Sequence, residues 1–141
     1  MIKLAIDVPG QFYTDAITKA LRQTGNFSVG SLEDYATEGQ FDEGICSLLA
    51  ARDGTPAVRN GPEIALLGVS VRQGYTLKER TGMIQMLRTR APNCRIVLFL
   101  DELVSPEQTE GVKNLRQARL IDGFLYASGT MEYLVATLES V

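Results

Sequence analysis

Ile96-Val97-Leu98-Phe99-Leu100 is a run of bulky apolar residues without one polar break. A strand with one face in water alternates polar and apolar residues. An unbroken run therefore points to a parallel strand covered on both faces. Ile64 to Val69 (IALLGV) is a second run of this kind. Between the two, Leu77, Met83, Ile84 and Leu87 recur at helical spacing, and the pattern stops before Ala91-Pro92. Strand, helix and strand, with both strands wholly apolar, form the repeating unit of a parallel sheet.

The same alternation extends in both directions. Lys3 to Val8 (KLAIDV), closed by Pro9-Gly10, reads as a first buried strand. Phe12, Ala16, Ile17, Ala20 and Leu21 predict a helix that stops at Thr24-Gly25, and Phe27 to Leu32 (FSVGSL) is a weaker strand. Phe41, Ile45 and Leu48 predict a short helix, with Asp42 and Glu43 near its start where the helix dipole favours acids. Residues 52–62 are polar and rich in glycine and proline, and read as a loop insertion. Toward the C-terminus, Ser105-Pro106-Glu107-Gln108 predicts a helix start. The serine caps, the proline takes the first helical position and Gln108 completes a capping box. Val112, Leu115 and Ala118 are expected to face inward from that helix. Phe124 to Ala127 follows Asp122-Gly123 as a fifth strand, and Thr130 opens a last helix with Leu134, Leu138 and Val141 on its buried stripe.

Five strands alternating with five helices imply one α/β domain over residues 1–141. The expected fold is a five-stranded parallel sheet of order 2-1-3-4-5, doubly wound by five helices and flavodoxin-like. Binding sites in such sheets lie at the carboxyl ends of the strands, near the switch point between the first and third.

Composition narrows the function. The chain has 141 residues, 45% apolar and 22% charged, with net charge −3, which suits one globular domain and disfavours a surface for nucleic acid. Lys78, Arg80, Arg88, Arg90 and Arg95 form a local basic cluster that reads as a solvated helix face. Cys46 and Cys94 show no CxxC spacing and read as buried apolar residues of a reducing compartment. There is no histidine, so the usual general base and the commonest metal ligand are absent, against most hydrolase mechanisms. No apolar run approaches a membrane span, and the opening MIKLAIDV has no signal-peptide cleavage site, so a cytoplasmic location is expected.

The strand ends carry Asp7-Val8-Pro9, Gly68-Val69-Ser70, Leu100-Asp101-Glu102 and Ala127-Ser128-Gly129. None contains a glycine-rich phosphate cradle or a G-x-S-x-G elbow. A metal site would need Asp7 to converge with Asp101 or Glu102; neither a metal nor another cofactor is expected.

Within this pattern, RAPNCRIVLFL and DGFLYASGTMEYLVATLESV resemble the junction before strand four and the closing segment of bacterial response-regulator receiver domains. IALLGVSV takes the place of the strand that ends in the phosphorylated aspartate, and KLAIDV that of the strand ending in an acidic pair. The resemblance implies a receiver-like (CheY-like) fold from two-component signalling without its chemistry. The acidic pair is reduced to Asp7, the acceptor position is Gly68, the hydroxyl position is Leu100 and the lysine position is Ala127. It thus implies a pseudo-receiver, unable to be phosphorylated and not an enzyme.

Phe124 stands where the resemblance places a switching aromatic of receivers, although a core phenylalanine beside Asp122-Gly123 is the plainer reading. The usual partner surface of receivers, formed by the fourth helix, fifth strand and fifth helix, would here present Arg116, Arg119, Phe124 and Tyr133. The expected function is a non-catalytic interaction domain of bacterial signalling or localisation. It would dock a protein partner or form a homodimer through that face, with no direct contact to nucleic acid or membrane. Similar atypical receivers occur at the N-terminus of MinD/ParA-like pilus-assembly ATPases, and the chain's bounds fit a stand-alone adaptor or such an N-terminal domain. The competing expectation is a small-ligand-binding or enzymatic flavodoxin-like domain with loop 52–62 as its lid.

Overall fold

The computed structural model describes residues 1–31 and 62–141; the helix expected around Phe41, Ile45 and Leu48, Cys46 and nearly all of loop 52–62 lie outside them. The bulky runs form strands: β1 (Ile2–Asp7), β2 (Phe27–Ser31), β3 (Ile64–Val69), β4 (Arg95–Leu100) and β5 (Gly123–Tyr126). The helices among the described residues are α1 (Gln11–Thr24), α2 (Leu77–Arg90), α3 (Pro106–Gln117) and α4 (Met131–Ser140). All strand pairs are parallel, and the sheet order is β2-β1-β3-β4-β5, as the sequence predicts.

Side chains alternate across each strand, so the sheet has two apolar faces and needs a layer on each. On one face Leu4, Ile6, Ile64, Leu66, Val97, Phe99 and Leu125 pack with Ile17 and Leu21 of α1 and Leu134 and Leu138 of α4. On the other, Ala65, Leu67, Val69, Ile96, Leu98 and Leu100 meet Ile84 and Leu87 of α2 and Val112 of α3. Two of the described helices thus cover each face. No helix among the described residues is long and apolar enough to cross a membrane.

The helix ends follow local chemistry. Gly25 closes α1 at φ 74, a left-handed conformation that favours glycine. Ser105 and Thr130 cap α3 and α4 by accepting the amides of Gln108 and Tyr133. Three expectations fail here. Phe12 is 79% exposed, because the α1 stripe begins at Tyr13 and Ile17. Ala118 lies past the last turn of α3 and is exposed. The capping box at Ser105 stays half-made, since the buried Gln108 Oε1 has no hydrogen-bond partner.

The basic cluster is the largest departure. Arg80 is 1% exposed, and Arg88 is half-buried. Arg88 Nε donates to the Leu120 carbonyl at 2.9 Å, Nη1 to the Cys94 carbonyl at 3.0 Å and Nη2 to Asp122 Oδ2 at 2.7 Å. The same carboxylate oxygen accepts the Ile96 amide at 2.8 Å, and Arg95 stands 3.6 Å from its other oxygen. One side chain therefore ties α2 to the starts of β4 and β5. Cys94 is buried beside it, and that burial pushes its thiol pKa up to about 12.

Burial disfavours the charged form of Asp122. The Ile96 amide, the Arg88 bond and charge, and Arg95 outweigh that effect and hold the carboxyl below its ordinary 3.8. A group with a depressed folded-state pKa contributes stability that is complete above the unfolded value and is lost as pH falls through the folded one. Asp122→Asn is therefore expected to lower the urea midpoint at about pH 7, with the gap to wild type closing as pH drops below about 4. A gap that stays constant down to about pH 2 would contradict this linkage.

Candidate functional site

The carboxyl ends of β1 and β3 lie side by side at the switch point, with Asp7 paired to Leu67 in register and Gly68 one residue beyond. The side chain reaching them comes from α2. Thr76 caps that helix and accepts the Glu79 amide, while Glu79 Oε1 accepts the Thr76 hydroxyl and the Gly74 amide. These hydrogen bonds, the Thr76 hydroxyl bond largest, hold the Glu79 carboxyl below its ordinary value. The cap starts α2 so that Arg80 falls on the inward stripe with Ile84 and Leu87, at offsets of four and seven.

The Arg80 guanidinium inserts between the strand ends. Nε donates to the Gly68 carbonyl at 2.8 Å, Nη2 to the Asp7 carbonyl at 2.9 Å and Nη1 to Asp7 Oδ2 at 3.0 Å. Its carbon lies 4.9 Å from the centre of the Tyr75 ring, a cation–π contact, and Nη1 also meets Met83 Sδ at 3.6 Å. The Arg80 side chain is 2% exposed and that of Asp7 33%, so the charge is buried with its partner at the rim. A planar fork suits three oxygens set around one plane, which an ammonium could not reproduce.

Gly68 has a steric role. A Cβ there would run into Pro9 Cδ and would lie 2.9 Å from Val8 Cα. The loop after β1 thus rests on the bare backbone of β3, and no side chain fits at that strand end. Leu100 is buried in the core under α2 and α3, and Ala127 is half-buried against the opposite core, its amide bonded to the Leu100 carbonyl at 2.8 Å. The structure brings Asp7 and Gly68 together through Arg80, whereas Leu100 and Ala127 serve packing.

Asp101 and Glu102 do not join Asp7 as ligands. Asp101 accepts the Ser70 hydroxyl at 3.2 Å and the Leu103 amide at 2.7 Å, closing its own turn. Burial first, then the Glu102 and Asp101 charges, raise the Tyr13 pKa above its usual value. Among the described residues no three acidic or cysteine side chains gather where a metal could be held.

The second feature lies along β5, the outer strand of the sheet among the described residues. An open groove of about 730 Å³ runs between β5 and α4, lined by Arg95, Arg116, Phe124, Tyr126 and Tyr133 among others. Tyr126 is 46% and Tyr133 63% exposed. Phe124 is half-buried against the core of the α2–α3 face and meets Tyr126 edge-on at 5.8 Å. Arg116, Phe124 and Tyr133, three of the four residues expected at an interface, therefore converge. Arg119 does not line the groove; it turns the chain out of α3 at φ 62.

No family model matches the chain, and no curated protein matches it. Among solved structures it is similar to the adenylate cyclase from Rhodopirellula baltica. The TM-score is 0.63 at 13% identity, covering 98% of this chain and 84% of that one. That likeness is one of fold.

Removing Arg80 strands a carboxylate and two carbonyls at a covered strand end. Arg80→Met is expected to cost about 3 kcal/mol in urea unfolding, and Arg80→Lys nearly as much because the fork is lost. Gly68→Ala is expected to cost about 1–3 kcal/mol through overpacking against Pro9. Wild-type stability in Arg80→Lys or Gly68→Ala would show that the strand end is looser than described.

Proposed function

We propose that this chain is a receiver-like interaction domain that cannot be phosphorylated and does no chemistry of its own. The observation that carries the reading is Arg80. At the crevice where a doubly wound sheet of this order receives its ligand, the protein's own guanidinium occupies the available oxygens. Pro9 covers Gly68, the position where the receiver resemblance would require the acceptor aspartate. Leu100 and Ala127, at the hydroxyl and lysine positions, offer nothing that could neutralise charge on a transferring phosphoryl group.

The same filling weighs against a ligand-binding or catalytic domain served from the switch point, because Asp7 is committed to Arg80 and Asp101 to its own turn. With the crevice closed, recognition falls to the surface. The β5–α4 groove combines aromatic rings and arginine, the residue types enriched at protein interfaces. A protein partner or a second copy docks there, and bacterial signalling or localisation in the cytoplasm is the setting that the receiver resemblance suggests.

Two measurements test this. Incubation of the chain with acetyl phosphate and Mg²⁺ is expected to leave its intact mass unchanged; a base-labile phosphoryl adduct would sink the proposal. Tyr133→Ala is expected to keep the wild-type thermal midpoint while weakening whatever association light scattering or pull-down detects. A Tyr133→Ala chain that keeps both its midpoint and its full association would remove Tyr133 from the interface.

A further inference from the structure

The interaction reading leaves open what the groove holds, and the edge of β5 narrows the choice. Ala127 donates its amide to the Leu100 carbonyl of β4 at 2.8 Å, and Leu125 pairs with Phe99 in register. By strand alternation, the backbone groups of Phe124 and the Tyr126 amide then point away from the sheet, toward the groove. Natural sheets protect such an edge with charges, prolines, bulges or short strands. At four residues β5 is short, but its sequence, Gly123-Phe124-Leu125-Tyr126, carries no charge and no proline.

Gly123 adds an independent observation. Its φ lies outside the left-handed region, and a Cβ built there meets nothing within 4 Å. Neither conformation nor internal packing calls for glycine at this position. A glycine in a strand costs stability and marks places where another backbone approaches closely. The missing side chain leaves the groove open where an added strand would lie.

Charge indicates the kind of strand. Arg95 and Arg116 line the groove, and Arg119 is exposed just beyond the end of α3. The one lining carboxylate side chain, Asp122, is already bonded to Arg88 and the Ile96 amide and stands 3.6 Å from Arg95, so it leaves Arg116 unanswered. A second copy paired antiparallel would bring the first turn of α4 to this end, and with it the single carboxylate Glu132. A segment carrying several carboxylates answers the arginines more fully.

We infer that the β5 edge accepts an extended, acidic segment of a partner protein as an added strand, with its carboxylates toward Arg95, Arg116 and Arg119. This rests on the interaction reading above and specifies its partner.

The test uses the full chain and a capped peptide alternating valine and glutamate, with its lysine counterpart as control. Amide NMR is expected to show the acidic peptide shifting Phe124 and Tyr126 most, and the lysine peptide shifting none. Arg116→Glu is expected to weaken binding about tenfold, the scale of one charge-assisted contact. Gly123→Val is expected to abolish binding while holding or raising the thermal midpoint. Equal binding of both peptides, shifts that avoid β5, or full binding by Gly123→Val overturns the inference. If the chain instead forms a dimer that Gly123→Val disrupts, the acidic partner is wrong while the interaction reading survives. A phosphoryl adduct would remove that reading itself.

Discussion

A buried guanidinium at the carboxyl ends of β1 and β3 determines what the rest of this molecule can do. Parallel strands leave carbonyl groups pointing out of the sheet where they end, and a covering helix would bury them unpaired. Arg80 satisfies the Asp7 and Gly68 carbonyls and neutralises the Asp7 carboxylate with one rigid group. Two strands and a helix are joined at the point where the sheet changes direction. A ligand at this crevice would have to displace an internal bond network, whereas the equivalent crevice in other folds of this type is open to solvent.

The same economy explains α2. Its buried apolar side chains are few: Ile84 and Leu87 are buried, while Leu77 and Met83 are partly so. Such a stripe would dock the helix weakly by hydrophobic burial alone. Arg80 near its first turn and Arg88 near its last instead anchor it to opposite ends of the sheet, one at β1 and β3, the other at β4 and β5. Each guanidinium pairs with one carboxylate and two backbone carbonyls, so neither charge is buried without compensation.

The strands were legible because a sheet covered on both faces demands unbroken bulky residues, and IVLFL and IALLGV have no other economical use. Caps at Ser105 and Thr130 were legible because they depend on neighbours three residues apart. Arg80 departs from the solvated face its charge suggests, because burial of an arginine depends on oxygens from β1 and β3, distant in sequence. Its position between Leu77 and Ile84 on the helical stripe, directly after the Thr76-x-x-Glu79 box, was the available signal. Gly68 was read as a lost residue; Pro9 resting on it is a long-range contact that no local pattern encodes. The convergence of Arg116, Phe124 and Tyr133 follows from the receiver resemblance, which places them on one face, but the turning role of Arg119 depends on a backbone angle.

Closing the crevice and opening the edge are complementary consequences of one sheet. Its switch-point end is filled by the protein itself, and exposed aromatic rings, unfilled space and the guanidinium groups of Arg95 and Arg116 lie along β5. Hydrogen exchange of arginine side chains tests the first half most directly. The Arg80 Nε–H, bonded to Gly68 and shielded from water, is predicted to exchange orders of magnitude more slowly than those of Arg116 and Arg119. Exchange of Arg80 at the rate of those exposed arginines would contradict a guanidinium locked between the strands.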